Sequence, residues 1–216
     1  MALSEEPTRA AAVLIGIVGY SPVIDSYPLG PQLMDGLKAR LEHRHDIAVE
    51  NMTWSPIHVV QRFQDEGAIR PKRVVLIGAA AVSVAPGRVR CFRWTGGNVP
   101  GAAMQERIYE AVTGVVDLEN TLIIGSHFEV WPDEIYCVEI DLPADTFGNM
   151  VIADSLGEDA SGESDSGFSP PAVIAEVVQV ALAFALDAPG QTAQTKSASE
   201  CAGIRPFIRN WVAIDA

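Results

Sequence analysis

Residues 12–18 read AVLIGIV, a continuous apolar run rich in β-branched side chains that ends at Gly19. A run of this length with no polar alternation is the pattern of a strand buried on both faces, as in a parallel sheet. Residues 73–80 (RVVLIGAA) repeat it, and residues 46–52 (DIAVENM) and 135–140 (IYCVEI) give two more strands. Helical signals fall between them. From Pro31, Leu33, Leu37 and Leu41 recur every four residues. Ser55-Pro56 offers an N-cap followed by proline in the first turn, with Ile57, Val60 and Phe63 as an apolar stripe. Met104, Ile108 and Val112 mark another helix, and Ser169-Pro170 opens one that runs to about Leu186. Residues 87–94 (GRVRCFRW) alternate in the manner of an edge strand. Periodicity leaves residues 117–128 open between helix and strand. The alternation predicts a three-layer α/β/α domain with a mostly parallel twisted sheet and one antiparallel edge strand. It spans residues 10–187, with an acidic insertion at 154–166 and a C-terminal tail at 188–216 that carries an apolar patch at 204–214.

The chain has 216 residues, is 48% hydrophobic and carries a net charge of −13. No Lys or Arg occurs between residues 108 and 195, while 16 of the 28 acidic residues lie there, so this block alone carries −16. Such a field repels phosphate backbones and anionic lipid, which disfavours nucleic-acid and membrane-surface roles. The N-terminus lacks the basic segment of a secretory signal, and no apolar run reaches the length of a membrane span. Cys91, Cys137 and Cys201 are widely spaced with no CxxC. A reduced, cytoplasmic protein is expected.

In parallel α/β sheets the working site usually lies at the carboxyl ends of the strands, here residues 19–29, 51–55 and 78–82. Gly16 and Gly19 follow a strand, but the next helix starts about a dozen residues later without a third glycine, so a dinucleotide fingerprint is disfavoured. The four histidines (His43, His45, His58, His127) form no HExxH or other ligand spacing, and no GxSxG elbow is present. The acidic insertion lacks a calcium-loop pattern.

The order of motifs resembles the hydrogenase maturation proteases, endopeptidases that trim the C-terminal extension of [NiFe]-hydrogenase large subunits. Leu14-Ile-Gly-Ile-Val-Gly19 with Gly30-Pro31 is similar to that family's opening strand, loop and helix start. Val74-Val-Leu-Ile-Gly-Ala79 with Ala85-Pro86-Gly87 is similar to its third strand and APG turn. Trp131-Pro132 before the strand at 135–140 with Pro143, and Gly167-Phe168-Ser169-Pro170 before the last helix, resemble its later segments. The resemblance covers roughly residues 12–186 and implies that residues 117–128 are helical.

It also implies a site. The family uses two carboxylates and one His to sense the nickel of the immature large subunit, a set of oxygen and imidazole donors at the strand ends. Here Asp25 is the one substitute in the first loop, shifted by a residue. The third-strand Asp is replaced by Gly78, and the His position falls at Thr113-Gly114. One carboxylate does not hold a divalent transition metal selectively. No intrinsic cofactor is expected, and nickel enters only as a substrate protein's metal. Tyr20, Tyr27, Asn51, Trp54 and His58 are the candidates for a cleft that binds a protein partner, such as a hydrogenase large subunit. Three functions follow: a divergent maturation endopeptidase, a non-proteolytic assembly factor or binding module, and a small-molecule or nucleotide binder. The acidic residues of 154–166 are candidates for steering a basic partner.

Overall fold

The computed structural model describes residues 12–19, 29–53, 55–65, 70–80, 87–113, 116–142, 170–186 and 194–201. Six strands form one sheet: β1 (Val13–Ile17), β2 (Ile47–Asn51), β3 (Arg73–Ala80), β4 (Val89–Trp94), β5 (Glu134–Asp141) and β6 (Gln194–Lys196). Their spatial order is β2-β1-β3-β5-β4-β6. The first four of these in space are mutually parallel, as continuous apolar runs require when helices cover both faces. β4 runs antiparallel to β5, as expected. It is not the outermost strand, because β6 pairs parallel to its outer side.

Among the described residues, five α-helices flank the sheet: α1 (Leu29–Leu41), α2 (Pro56–Gln64), α3 (Gly101–Val112), α4 (Leu118–His127) and α5 (Pro170–Ala185). The residues at 118–127 are helical, in line with the reading drawn from motif order. α1 starts two residues before Pro31. Its Leu33, Leu37 and Leu41 pack with Ile15, Ile17, Val75, Ile77, Val138 and the α5 residues Val177, Val178 and Ala181. On the opposite face α2, α3 and α4 cover Leu14, Val74, Leu76, Phe92, Trp94 and Cys137. The central strands β1, β3 and β5 therefore send alternate side chains into two separate layers.

Gly16 sits in the middle of β1, where a Cβ would lie 2.5 Å from the Met52 sulfur. Its smallness serves strand-to-side-chain packing. The buried positions of α2 are Pro56, Val59, Val60 and Phe63, with Ile57 half-buried. Ser55 caps this helix, its Oγ accepting from the Ile57 N–H at 3.4 Å and donating to the Ala111 carbonyl at 3.3 Å. That second bond ties the start of α2 to the end of α3.

Candidate functional site

The carboxyl ends of β3 and β5 lie side by side, with Gly78 opposite Glu139 and Ala80 opposite Asp141 in the ladder. In a strand, residues two apart share a face. Glu139 and Asp141 therefore continue the row of Ile135 and Cys137, and both are buried beneath the α2–α3–α4 layer. Two carboxylates inside an apolar strand need cations. Arg90, on the same face of β4, supplies one. Its Nη2 lies 3.0 Å from Glu139 Oε2 and 2.7 Å from Asp141 Oδ1, and its Nε donates to Asp141 Oδ1 at 2.9 Å. Burial pushes the Glu139 carboxyl above its ordinary value; Arg90 and Lys196 pull it back, while Glu119 and Asp141 add to the rise.

A second chain of charges runs along α3 and α4. Arg107 Nη1 donates to Glu110 at 3.2 Å, and its Nη2 donates to Glu119 at 3.3 Å. Lys196 of β6 reaches the other oxygen of Glu119 at 3.3 Å. The Arg107 and Glu110 side chains are only 6% and 5% exposed, so this pair is almost wholly withdrawn from water. Asn120, fully buried beside it, donates through Nδ2 to the Arg107 carbonyl at 3.3 Å. Every carboxylate in these two clusters is engaged by a cation. Among the described residues, no group of three or more His, Cys, Asp or Glu side chains is placed to hold a metal ion.

Gly78 lies near the carboxyl end of β3. A Cβ built on it would lie 2.7 Å from the Leu118 Cβ, closer than such atoms approach. The first turn of α4 thus rests directly on the β3 backbone, and residue 78 has room for no donor side chain. His127, at the other end of α4, is nine residues from Leu118, or about 14 Å along the helix. It is exposed and packs edge-on against Phe128, with ring centroids 5.2 Å apart. It lies at the far end of the helix from the Gly78 contact.

Asn51 ends β2 in the open, its Oδ1 accepting from the Thr53 N–H at 3.0 Å, a local turn that fixes the chain as it leaves the sheet. His58 is exposed on α2, in the turn that follows Ser55. These two lie on neighbouring elements at the carboxyl side of the sheet. Tyr20, Asp25, Tyr27, Trp54 and Gly114 lie outside the described residues, as do the acidic insertion and the patch at 204–214.

Sequence reasoning did not single out Arg90, Arg107, Glu110, Glu139 or Asp141 as a working cluster. A signal was present at β5, where Glu139 and Asp141 fall at the same parity as the buried Cys137. The sequence matches no known family model and no curated protein.

Proposed function

We propose that this chain is a non-proteolytic relative of the hydrogenase maturation proteases, a cytoplasmic assembly factor that holds a [NiFe]-hydrogenase large subunit without cutting it. The observation that carries this reading is the contact of Gly78 with Leu118. A nickel-sensing site needs a donor at the third-strand end, and here helix α4 fills that space with an apolar side chain. Gly114 offers no side-chain donor either, so Asp25 is the one remaining candidate among the positions the resemblance marks. Cleavage guided by a substrate's nickel has lost most of its ligands, while the fold that would present a protein-binding face is intact.

Cytoplasmic placement is supported by the cysteines. Cys91 and Cys137 point into opposite layers of the sheet, so no disulfide joins the two. The −16 block would accelerate encounter with a basic surface on the partner.

The test is to mix the purified chain with a nickel-loaded large-subunit precursor and follow both complex formation and precursor mass. Co-elution of the two proteins with the C-terminal extension retained is the expected result. Trimming of the extension would restore the endopeptidase reading, and failure to co-elute would remove the hydrogenase partner.

A further inference from the structure

β6 reaches the sheet from far along the chain and lies parallel to β4, pairing Gln194, Thr195 and Lys196 with Phe92, Arg93 and Trp94. Three residues are at the short limit for a strand, and Gln194 and Thr195 are exposed. Its hold on the domain is concentrated at its end. Lys196 Nζ lies 3.3 Å from Glu119 and 5.2 Å from the centre of the Phe92 ring. The Lys196 carbonyl accepts from the Thr95 N–H at 3.0 Å and from Thr95 Oγ1 at 3.2 Å. Two residues on, the Ala198 N–H donates to the Gly96 carbonyl at 2.9 Å, and its methyl group is fully buried in the core beside Gly97. Glu200 accepts from the Ser197 N–H at 2.7 Å and closes the turn that follows.

We propose that the outer edge of β4 is a docking site for an extended peptide strand of a partner protein, and that residues 194–198 are this chain's own occupant of that site. The occupant states the chemistry of recognition. Backbone pairing supplies attachment to the edge, as in other complexes formed by strand addition. A Lys or Arg at the place of Lys196 meets Glu119 and the face of Phe92. A small apolar side chain two residues later enters the space of Ala198, next to Gly97. The ligand pattern is cation-x-Ala in an extended segment running parallel to β4. A polar, three-residue strand with two of its side chains in water is a weak competitor, so a longer strand with the same two anchors displaces it. Among the described strands, β6 is the one joined to the sheet through a single neighbour over only three residues. The proposal stands on the β4 edge and is independent of whether the partner is a hydrogenase subunit.

The experiment uses the full chain and a fluorescent synthetic peptide with the sequence of residues 192–200, read by anisotropy. Lys196→Gln in the protein weakens the internal strand but leaves Glu119 and Phe92 in place. It is expected to tighten peptide binding roughly three- to five-fold, the range of one partly exposed ion pair. A peptide carrying Glu in place of its Lys is expected to bind about ten-fold more weakly than the parent peptide, since it sets like charges together. Cysteines introduced at the register partners Arg93 and Thr195 lock β6 when oxidised and are expected to abolish binding, with recovery on reduction. Binding that persists in the oxidised lock, or a Lys196→Gln protein that gains nothing, would overturn the proposal. Concentration-dependent dimerisation of the Lys196→Gln protein that excludes the peptide would also overturn it, assigning the edge to a second copy of this chain.

Discussion

Gly78 of β3 and Leu118 of α4 are in backbone-to-side-chain contact so close that a Cβ on residue 78 would sit 2.7 Å from the leucine Cβ. The pair welds the first turn of α4 to the carboxyl end of β3. Asp117 reinforces the weld by capping that helix, accepting from the Asn120 N–H at 2.7 Å. The same contact limits the chemistry open to the strand end, because the seat of the helix leaves residue 78 no room for a side chain.

Gly78→Asp is therefore expected to destabilise the domain by about 3 kcal/mol or more, combining overpacking with a charge buried opposite Glu139. Urea unfolding measures it. Leu118→Ala alone costs about 2–5 kcal/mol as a cavity. In the double variant the two costs are expected to fall short of their sum, since truncating Leu118 opens the space that aspartate needs. Strict additivity would show that Leu118 is not what excludes a side chain at residue 78.

Removing Arg107 strands Glu110, whose side chain is 5% exposed, and takes a cation from Glu119. Arg107→Met is expected to cost about 3–5 kcal/mol, the range for breaking a buried ion pair at one partner. Adding Glu110→Gln should recover part of that loss by deleting the orphaned charge. A single variant with unchanged unfolding midpoint would mean that water reaches Glu110 in solution.

The sequence shows the sheet plainly because β1 and β3 are apolar on both faces, and a both-faced strand needs no periodicity to be seen. α4 was ambiguous for a related reason. Six consecutive residues, 120–125, are buried, so the helix has no polar stripe to reveal its 3.6-residue period. In α3 the apolar positions Met104, Ile108 and Val112 suggest one face, yet the buried residues are Met104, Arg107, Glu110 and Ala111, and Val112 is 74% exposed. An internal salt bridge occupies positions that composition assigns to solvent. The candidate site was less legible than the fold, because Arg90, Glu139 and Asp141 come from two strands 40 residues or more apart in sequence. The meaning of Gly78 also needed the three-dimensional neighbour, Leu118. β6 was hidden by its length and its polar composition.

Trp94 is 2% exposed, and its indole N–H donates to Ser126 Oγ at 2.8 Å, joining β4 to the last turn of α4. Trp94→Phe keeps most of the apolar bulk and loses this bond, for an expected cost of about 1–3 kcal/mol. Ser126→Ala should cost less, and the double variant should cost less than the sum. Thermal unfolding of the three variants checks this, and full additivity would argue that the bond contributes nothing.

The last expectation concerns pH. Burial holds the Glu139 carboxyl above its ordinary value, against the pull of Arg90. The folded state then binds the Glu139 proton more tightly than the unfolded chain does. The stabilising contribution is fully present below the unfolded carboxyl range and is lost as pH rises through the folded value. Glu139→Gln mimics the protonated form and leaves Asp141 to satisfy Arg90. At pH 7 the variant is expected to match or exceed the parent in melting temperature, and its advantage should shrink steadily as pH is lowered toward 4. Paired melts across that range isolate this one group, because the other carboxylates titrate in both proteins. A variant that is less stable at pH 7 and draws level in acid would mean that the attraction of Arg90 outweighs the burial of Glu139, reversing the sign of the shift.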